Sequence, residues 1–321
     1  MTINKRELLL TLAATAAWPA LAQGAAWPSR PVRLLVGFPP GSTPDSSARA
    51  IAEPLAKLWG QPVVVENKPG AAGNIATQQV ATATDDHTLG VVINGNLTSA
   101  PLLFSKLGYS PAKDLSLLSL LTTAPLALVT NPDKPTGEAF FAAAREGGDK
   151  WNYGSVGIGS VGHLGMELLA AKTGLKAVHI PFQGNPQVIT AMLAGQVQMA
   201  LIPPGLAMPQ VRAGKLKAIG ITGGGRSTLV TELPPLHDAG VAGFELEVWT
   251  ALVGPATLSK AALTRIAATV SGVVREAETR QRLFNAGWQA VGSAPEALAS
   301  RVRVETEQLG AIIKARGIKV E

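Results

Sequence analysis

Strand-length apolar runs and helix-patterned segments alternate along this chain, break off, and start again, and that restart limits the folds open to it. Pro31 to Val36 reads as a buried strand bounded by prolines. Ser46 to Trp59 puts Ala48, Ile51, Ala52, Leu55 and Leu58 on one helical face. A strand at Pro62 to Val65, a helix at Ile75 to Ala83 and a strand at Thr88 to Ile93 follow. The cycle resumes with Asn152 to Val156, a helix from His163 that ends at Gly174, and a strand at Ala177 to Pro181. Then come a helix at Pro186 to Ala194, a strand at Gln198 to Ile202, a helix to Ala213 and a strand at Lys215 to Thr222. Such alternation requires parallel sheets covered by helices on both faces. Two such units predict an α/β protein of two parallel-sheet lobes.

The joins predict how the lobes connect. Pro125 to Thr130 and Trp249 to Pro255 are apolar extended segments flanking the second unit, and only helical patterns follow, at 260–276, 278–286 and 295–314. A chain that leaves one lobe, builds another and returns has two hinge strands, a layout that allows closure around a ligand. The expected division is 27–126 with 250–321 as the first lobe and 127–249 as the second.

The first residues point to export. Lys5 and Arg6 precede an apolar run from Leu8 to Ala17, and Ala20-Leu21-Ala22 supplies a small-residue cleavage site. Residues 1–22 therefore read as a signal peptide cleaved after Ala22, which places the mature protein in the periplasm. The chain has no cysteine, which removes disulfides, thiolate metal sites and lipidation of a cysteine. Its net charge of +6 is scattered, with no Lys/Arg run longer than two residues and no aromatic interleaving, so nucleic acid is not an expected partner. A diffuse positive field suits small anions.

Two strand-to-helix loops carry the candidate chemistry. In Phe38-Pro39-Pro40-Gly41-Ser42-Thr43-Pro44-Asp45, Pro44 suits a first helical turn and Thr43 a cap, so free N–H groups at a helix start could hold an anion. Asp45 beside that point reads better as a group ordering water or a backbone amide. The second loop, Gly154 to His163, contains Gly157-x-Gly159-x-x-Gly162, but the strand after it (Ala177 to Gly184) offers no acid for a ribose. An anion loop with Ser155 and Ser160 as hydroxyl donors remains, and no cofactor is expected. Ser160 lacks the Gly-x-Ser-x-Gly frame of hydrolases, and His87, His163, His179 and His237 form no metal spacing. Catalytic and metal residues are therefore none.

Taken in order, several motifs resemble one family. Phe38-Pro39-Pro40-Gly41 with Asp45 and Ala48-Arg49, and then Gly60 to Ala71 with Gly73-Asn74, are similar to the substrate-binding receptors of tripartite tricarboxylate transporters, the Bug-type receptors. Gly154-Ser155, His163-Leu164 with Glu167, His179 to Gly184, Ala213 to Leu216 and Trp249 continue the likeness over the whole mature chain. The resemblance implies a type II periplasmic-binding-protein fold that encloses a small carboxylate between its lobes and delivers it to integral membrane transporter subunits. By position it implies a ligand site of Pro40, Gly41, Ser42, Thr43 and Asp45 facing Ser155, Gly159, Ser160 and His163. Asn94, Asn96, Gln183 and Gly184 would line the same cleft. Ser42 departs from the family's usual second glycine, exchanging backbone freedom for a hydroxyl donor. Gln198 and Pro203-Pro204 stand where the family often carries acids, which disfavours amino-acid ligands. A monomer is expected. The alternatives are a ligand sensor signalling to a membrane partner and a secreted α/β hydrolase.

Overall fold

The computed structural model describes residues 27–318, so the expected signal peptide and its cleavage site lie outside the described residues. The chain forms two sheets. The first takes β1 (Val32–Val36), β2 (Val63–Asn67), β3 (Thr88–Ile93), β4 (Leu115–Pro125), β10 (Glu247–Pro255) and β11 (Gln289–Ala290), in the order β11-β4-β10-β3-β1-β2. The second takes β5 (Ala127–Thr130), β6 (Asn152–Ser155), β7 (Val178–Pro181), β8 (Met199–Ile202) and β9 (Lys217–Ile221), in the order β7-β6-β8-β5-β9. Each has a parallel core of three strands, β2-β1-β3 and β7-β6-β8. In each, a crossing strand lies antiparallel beside the third member of that core. The parallel cores follow from the helical crossovers, while a chain returning from the other lobe enters its sheet running the opposite way.

Burial explains why these segments are strands. All six residues of β3 are buried, as expected of a central strand covered on both faces. The helices start and stop where local chemistry dictates. Helix α1 (Thr43–Trp59) begins with Pro44 in its first turn, turns Ala48, Ile51, Leu55 and Trp59 into the core, and ends at left-handed Gly60. Helix α2 spans Asn74–Ala81. Helix α3 (Glu138–Gly147) lies in a stretch where the sequence suggests no element, and buries Phe140, Phe141 and Ala144. In the second lobe, α4 (Val161–Thr173), α5 (Asn185–Leu193) and α6 (Pro204–Arg212) each follow a parallel strand. Helices α7 (Lys260–Arg275), α8 (Ala277–Asn285) and α9 (Pro295–Arg316) return to cover the first sheet.

The two crossings lie side by side. The chain leaves the first sheet after Pro125, passes Leu126 and enters the second as β5. On its return, Glu247 already pairs with Pro125, so the crossing falls at Leu246, ahead of the apolar run at Trp249 that suggested it. Buried Thr222 joins both crossings: its hydroxyl accepts the Leu126 N–H at 2.8 Å and donates to the Leu246 carbonyl at 2.5 Å.

Candidate functional site

The first loop is built around Asp45. Its carboxylate accepts the Gly41 N–H at 3.0 Å, the Asn67 amide at 2.8 Å and the Arg49 guanidinium at 3.0 Å. Burial works to raise its pKa, but Arg49, Asn67 and the Gly41 amide outweigh that and hold it below the usual carboxylate range. Asp45 therefore folds the loop and does not face the cleft. Gly41 takes φ +76, a conformation that suits glycine, and stands with Pro40 at the exposed rim. Ser42 caps α1 by position, yet its hydroxyl makes no capping bond. The side chain is 2 % exposed and Oγ has no hydrogen-bond partner among the described residues.

The second loop turns most of its polar atoms upon itself. Ser160 Oγ donates to the Gly157 carbonyl at 2.7 Å and accepts the His163 N–H at 3.3 Å, capping α4. His163 Nδ1 accepts the Gly159 N–H at 3.2 Å, which requires that nitrogen to be unprotonated. Ser155 Oγ accepts the Gly157 N–H at 3.1 Å and lies 2.7 Å from His179 Nε2. Gly157 and Gly159 have φ +120 and +83, and a Cβ on either would meet Ala72 or Leu103 at 2.8 Å. With Ser160 capping the third helical amide, the Val161 and Gly162 N–H groups remain for whatever occupies the cleft.

Beneath this loop the His163 and His179 rings lie tilted against each other at 4.2 Å between centroids, and Tyr153 stacks on His179 at 4.9 Å. The Tyr153 hydroxyl donates to Glu167 at 2.6 Å, and Arg316 of α9 pairs with the same carboxylate. Burial lowers the His163 pKa against the pull of Glu167. Burial, with His163 adding to it, pushes His179 down to about 3. Both rings are neutral in the folded chain near pH 7. Below about pH 6.5 the unfolded chain takes up protons that the folded chain refuses, so stability falls as pH falls through that window. The limit is about 1.4 kcal/mol per pH unit for each ring, less where solvent reaches it. Thermal melts at about pH 7.5 and 5 should show this loss. His163→Asn, which keeps an acceptor near Nδ1 but does not titrate, should reduce it.

The two loops face each other across the cleft. The Asn185 amide donates to Thr43 Oγ1 at 3.3 Å, Ser99 Oγ donates to the Gly159 carbonyl at 2.5 Å, and Gly184 lies against Pro39. The lobes thus enclose a cavity of about 30 Å³, enough for roughly two water-sized spheres. The starts of α1, α4, α5 and α6 all border it, through Ser42 and Thr43, Ser160 to Gly162, Asn185 and Pro203. Four N-terminal dipole ends on one cavity favour an anion there. Among the described residues no charged side chain lines it.

Of the residues expected to line the cleft, Ser42, Thr43 and Ser160 do. Asp45, Ser155, Gly159 and His163 shape the loops. Asn94 and Asn96 are turned away from the cavity: Asn94 binds Glu305 and the Glu247 carbonyl, and Asn96 binds the Ala72 carbonyl and Asn74. Gln183 lines a separate groove of about 480 Å³ between the lobes, with Phe104, Ile158 and Phe182. Gly184 contacts the other lobe, and Pro40 and Gly41 form the rim. Gln198 accepts the Asn152 N–H and donates to the Gly195 carbonyl, so of the acid-replacing positions only Pro203 reaches the cavity. The sequence reading missed Asn185. The signal was present, because Gly184-Asn185-Pro186 begins a helix in the same manner as Thr43-Pro44. Ser155 lies within hydrogen-bond distance of His179, a pairing that spacing did not suggest, but neither residue lines the cavity. Among the described residues no group of three His, Asp or Glu side chains could hold a metal, and no helix is long and apolar enough to cross a membrane.

Residues 47–318 match the family described as the tripartite tricarboxylate transporter family receptor. The chain is 32% identical over 296 residues to a UPF0065 protein of Bordetella pertussis (strain Tohama I), covering 91% of each. Its fold is similar to that of MatC from Rhodopseudomonas palustris with bound malate, at a TM-score of 0.84 and 32% identity over 89% of this chain and 100% of that one. It is also similar to R. palustris Rpa4515 with adipate, at a TM-score of 0.88 and 27% identity over 91% of this chain and 99% of that one.

Proposed function

The chain belongs to the tripartite tricarboxylate transporter receptor family, and from that membership we propose that it is a periplasmic receptor that captures a small carboxylate and hands it to the transporter's membrane subunits. It does so as a monomer, by closing its lobes on the ligand, and carries out no reaction. The observation that carries this reading is the Ser42 hydroxyl, which is buried, unpartnered and at the cavity where four helix starts meet. A buried hydroxyl without a partner costs roughly 1–3 kcal/mol, and a ligand oxygen would relieve that cost. The bound carboxylates of MatC and Rpa4515 belong to the same chemistry. A partner that binds only the closed shape would distinguish loaded receptor from empty.

Ser42→Ala tests it. Loss of one charge-assisted hydrogen bond should weaken carboxylate binding roughly tenfold or more in calorimetric titration. The ligand-free variant should melt no lower than the parent, because the hydroxyl has no partner among the described residues. Unchanged affinity for a bound carboxylate would remove Ser42 from the site. Failure of any mono-, di- or tricarboxylate to bind the refolded, native parent would overturn the carboxylate reading.

A further inference from the structure

Resting on that reading, we infer that the ligand carries a single carboxylate on a short apolar body, unlike the dicarboxylates in the two related structures. The cavity lining divides between polar helix starts and hydrocarbon. The donors there include the hydroxyls of Ser42 and Thr43, the N–H groups of Val161 and Gly162, and the second hydrogen of the Asn185 amide. Thr43 Oγ1 accepts from Asn185, which leaves its own hydrogen to give, whereas Ser160 Oγ already donates to Gly157. These donors are enough to fill the roughly four acceptor positions of one carboxylate. Pro44, Pro186 and Pro204 each remove one N–H from the other three helix starts.

The remaining lining is hydrocarbon. Leu126 and Val248 come from the two crossing strands, Ile93 from the end of β3 and Leu201 from β8. Among the described residues no lysine, arginine or histidine borders the cavity to meet a second carboxylate, and no acid borders it to meet an amine. A dicarboxylate would have to bury an unpaired anion against Leu126 and Val248, or hold the lobes apart. An alkyl or phenyl group there is instead removed from water at no polar cost.

The test is calorimetric titration of the purified, refolded protein with chain-matched pairs: butanoate against succinate, hexanoate against adipate, and benzoate against terephthalate. The expected result is that at least one monocarboxylate binds about 100-fold more tightly than its dicarboxylate partner, and that hexanamide does not compete. Dicarboxylates binding as tightly as their partners, or more tightly, would overturn the single-carboxylate inference and leave carboxylate capture intact. A protein that is native by circular dichroism yet binds neither member of any pair would overturn carboxylate capture itself.

Discussion

Glu305→Ala should lower the stability of the folded chain by about 3–5 kcal/mol. Glu305 sits on α9 at 5 % exposure. Its carboxylate accepts the Trp249 indole N–H at 2.5 Å, the Asn94 amide at 2.6 Å and the Arg301 guanidinium at 3.3 Å. Arg301 also reaches Glu247, which accepts the Thr123 hydroxyl, so one network joins the last helix to both crossing strands. Burial raises the Glu305 pKa, and Trp249, Arg301 and Asn94 restrain the rise. Removing the carboxylate leaves a fully buried indole N–H with no acceptor, at a cost of roughly 1–3 kcal/mol, and leaves the Asn94 amide with only the Glu247 carbonyl, besides the lost pairing with Arg301. In thermal denaturation the drop should be roughly 10 °C. Glu305→Gln keeps one acceptor oxygen and should lose less. An alanine variant that melts with the parent would show that the network contributes nothing to holding the crossings.

Gly205→Val should weaken ligand binding roughly 100-fold while each lobe stays folded. Gly205 lies in the first turn of α6, and a Cβ there would overlap the Ala286 carbonyl oxygen and come within 2.7 Å of its carbonyl carbon. Those atoms belong to the first lobe, just after α8, and they are backbone, so no rotamer change clears them. Gly287, at φ +82, meets Gly205 from the other side. The added side chain can be accommodated only if the lobes part. Excluding the closed shape at a cost of about 3 kcal/mol divides apparent affinity by the lost closed fraction, about 100-fold. X-ray scattering should show a larger radius of gyration with saturating ligand than the parent gives, and the melting temperature should change little. Parental affinity and parental compaction in Gly205→Val would mean that this contact plays no part in closure.

Both predictions rest on contacts that join distant stretches of chain, and such contacts separate what the sequence reveals from what it hides. The pairing of His163 with His179 is one example. By sequence spacing the two rings suggest nothing, but Tyr153 and His179 are partners in the parallel β6–β7 register, and α4 carries His163 back over the same strands. Asn94 and Asn96, at the end of β3, were expected to face the cleft. Glu305 and Asn74 claim their amides instead. Glu305 comes from the last helix, and Asn74 is brought in by the tight turn that closes from Gly70 to Gly73.

What this sequence determined by itself is local. Apolar alternation set the strands, proline and glycine set the starts and ends of α1, α4 and α5, and the restart of the pattern set two lobes, because each depends on backbone preferences and burial within a few residues. The Ser42 hydroxyl was legible only through the family resemblance, as a donor standing where the family usually has a second glycine. Which donors face the cavity was decided only by tertiary structure. Asp45, Ser155, Ser160 and His163 carry the polar atoms that look most suited to a ligand, yet the loops use them internally. The apolar side of the site comes from residues such as Leu126, at one crossing, and Val248, in β10 just past the other, which are indistinguishable in sequence from any core position. A buried polar atom takes whichever partner the packed chain brings nearest, and that partner is known only once the lobes have met.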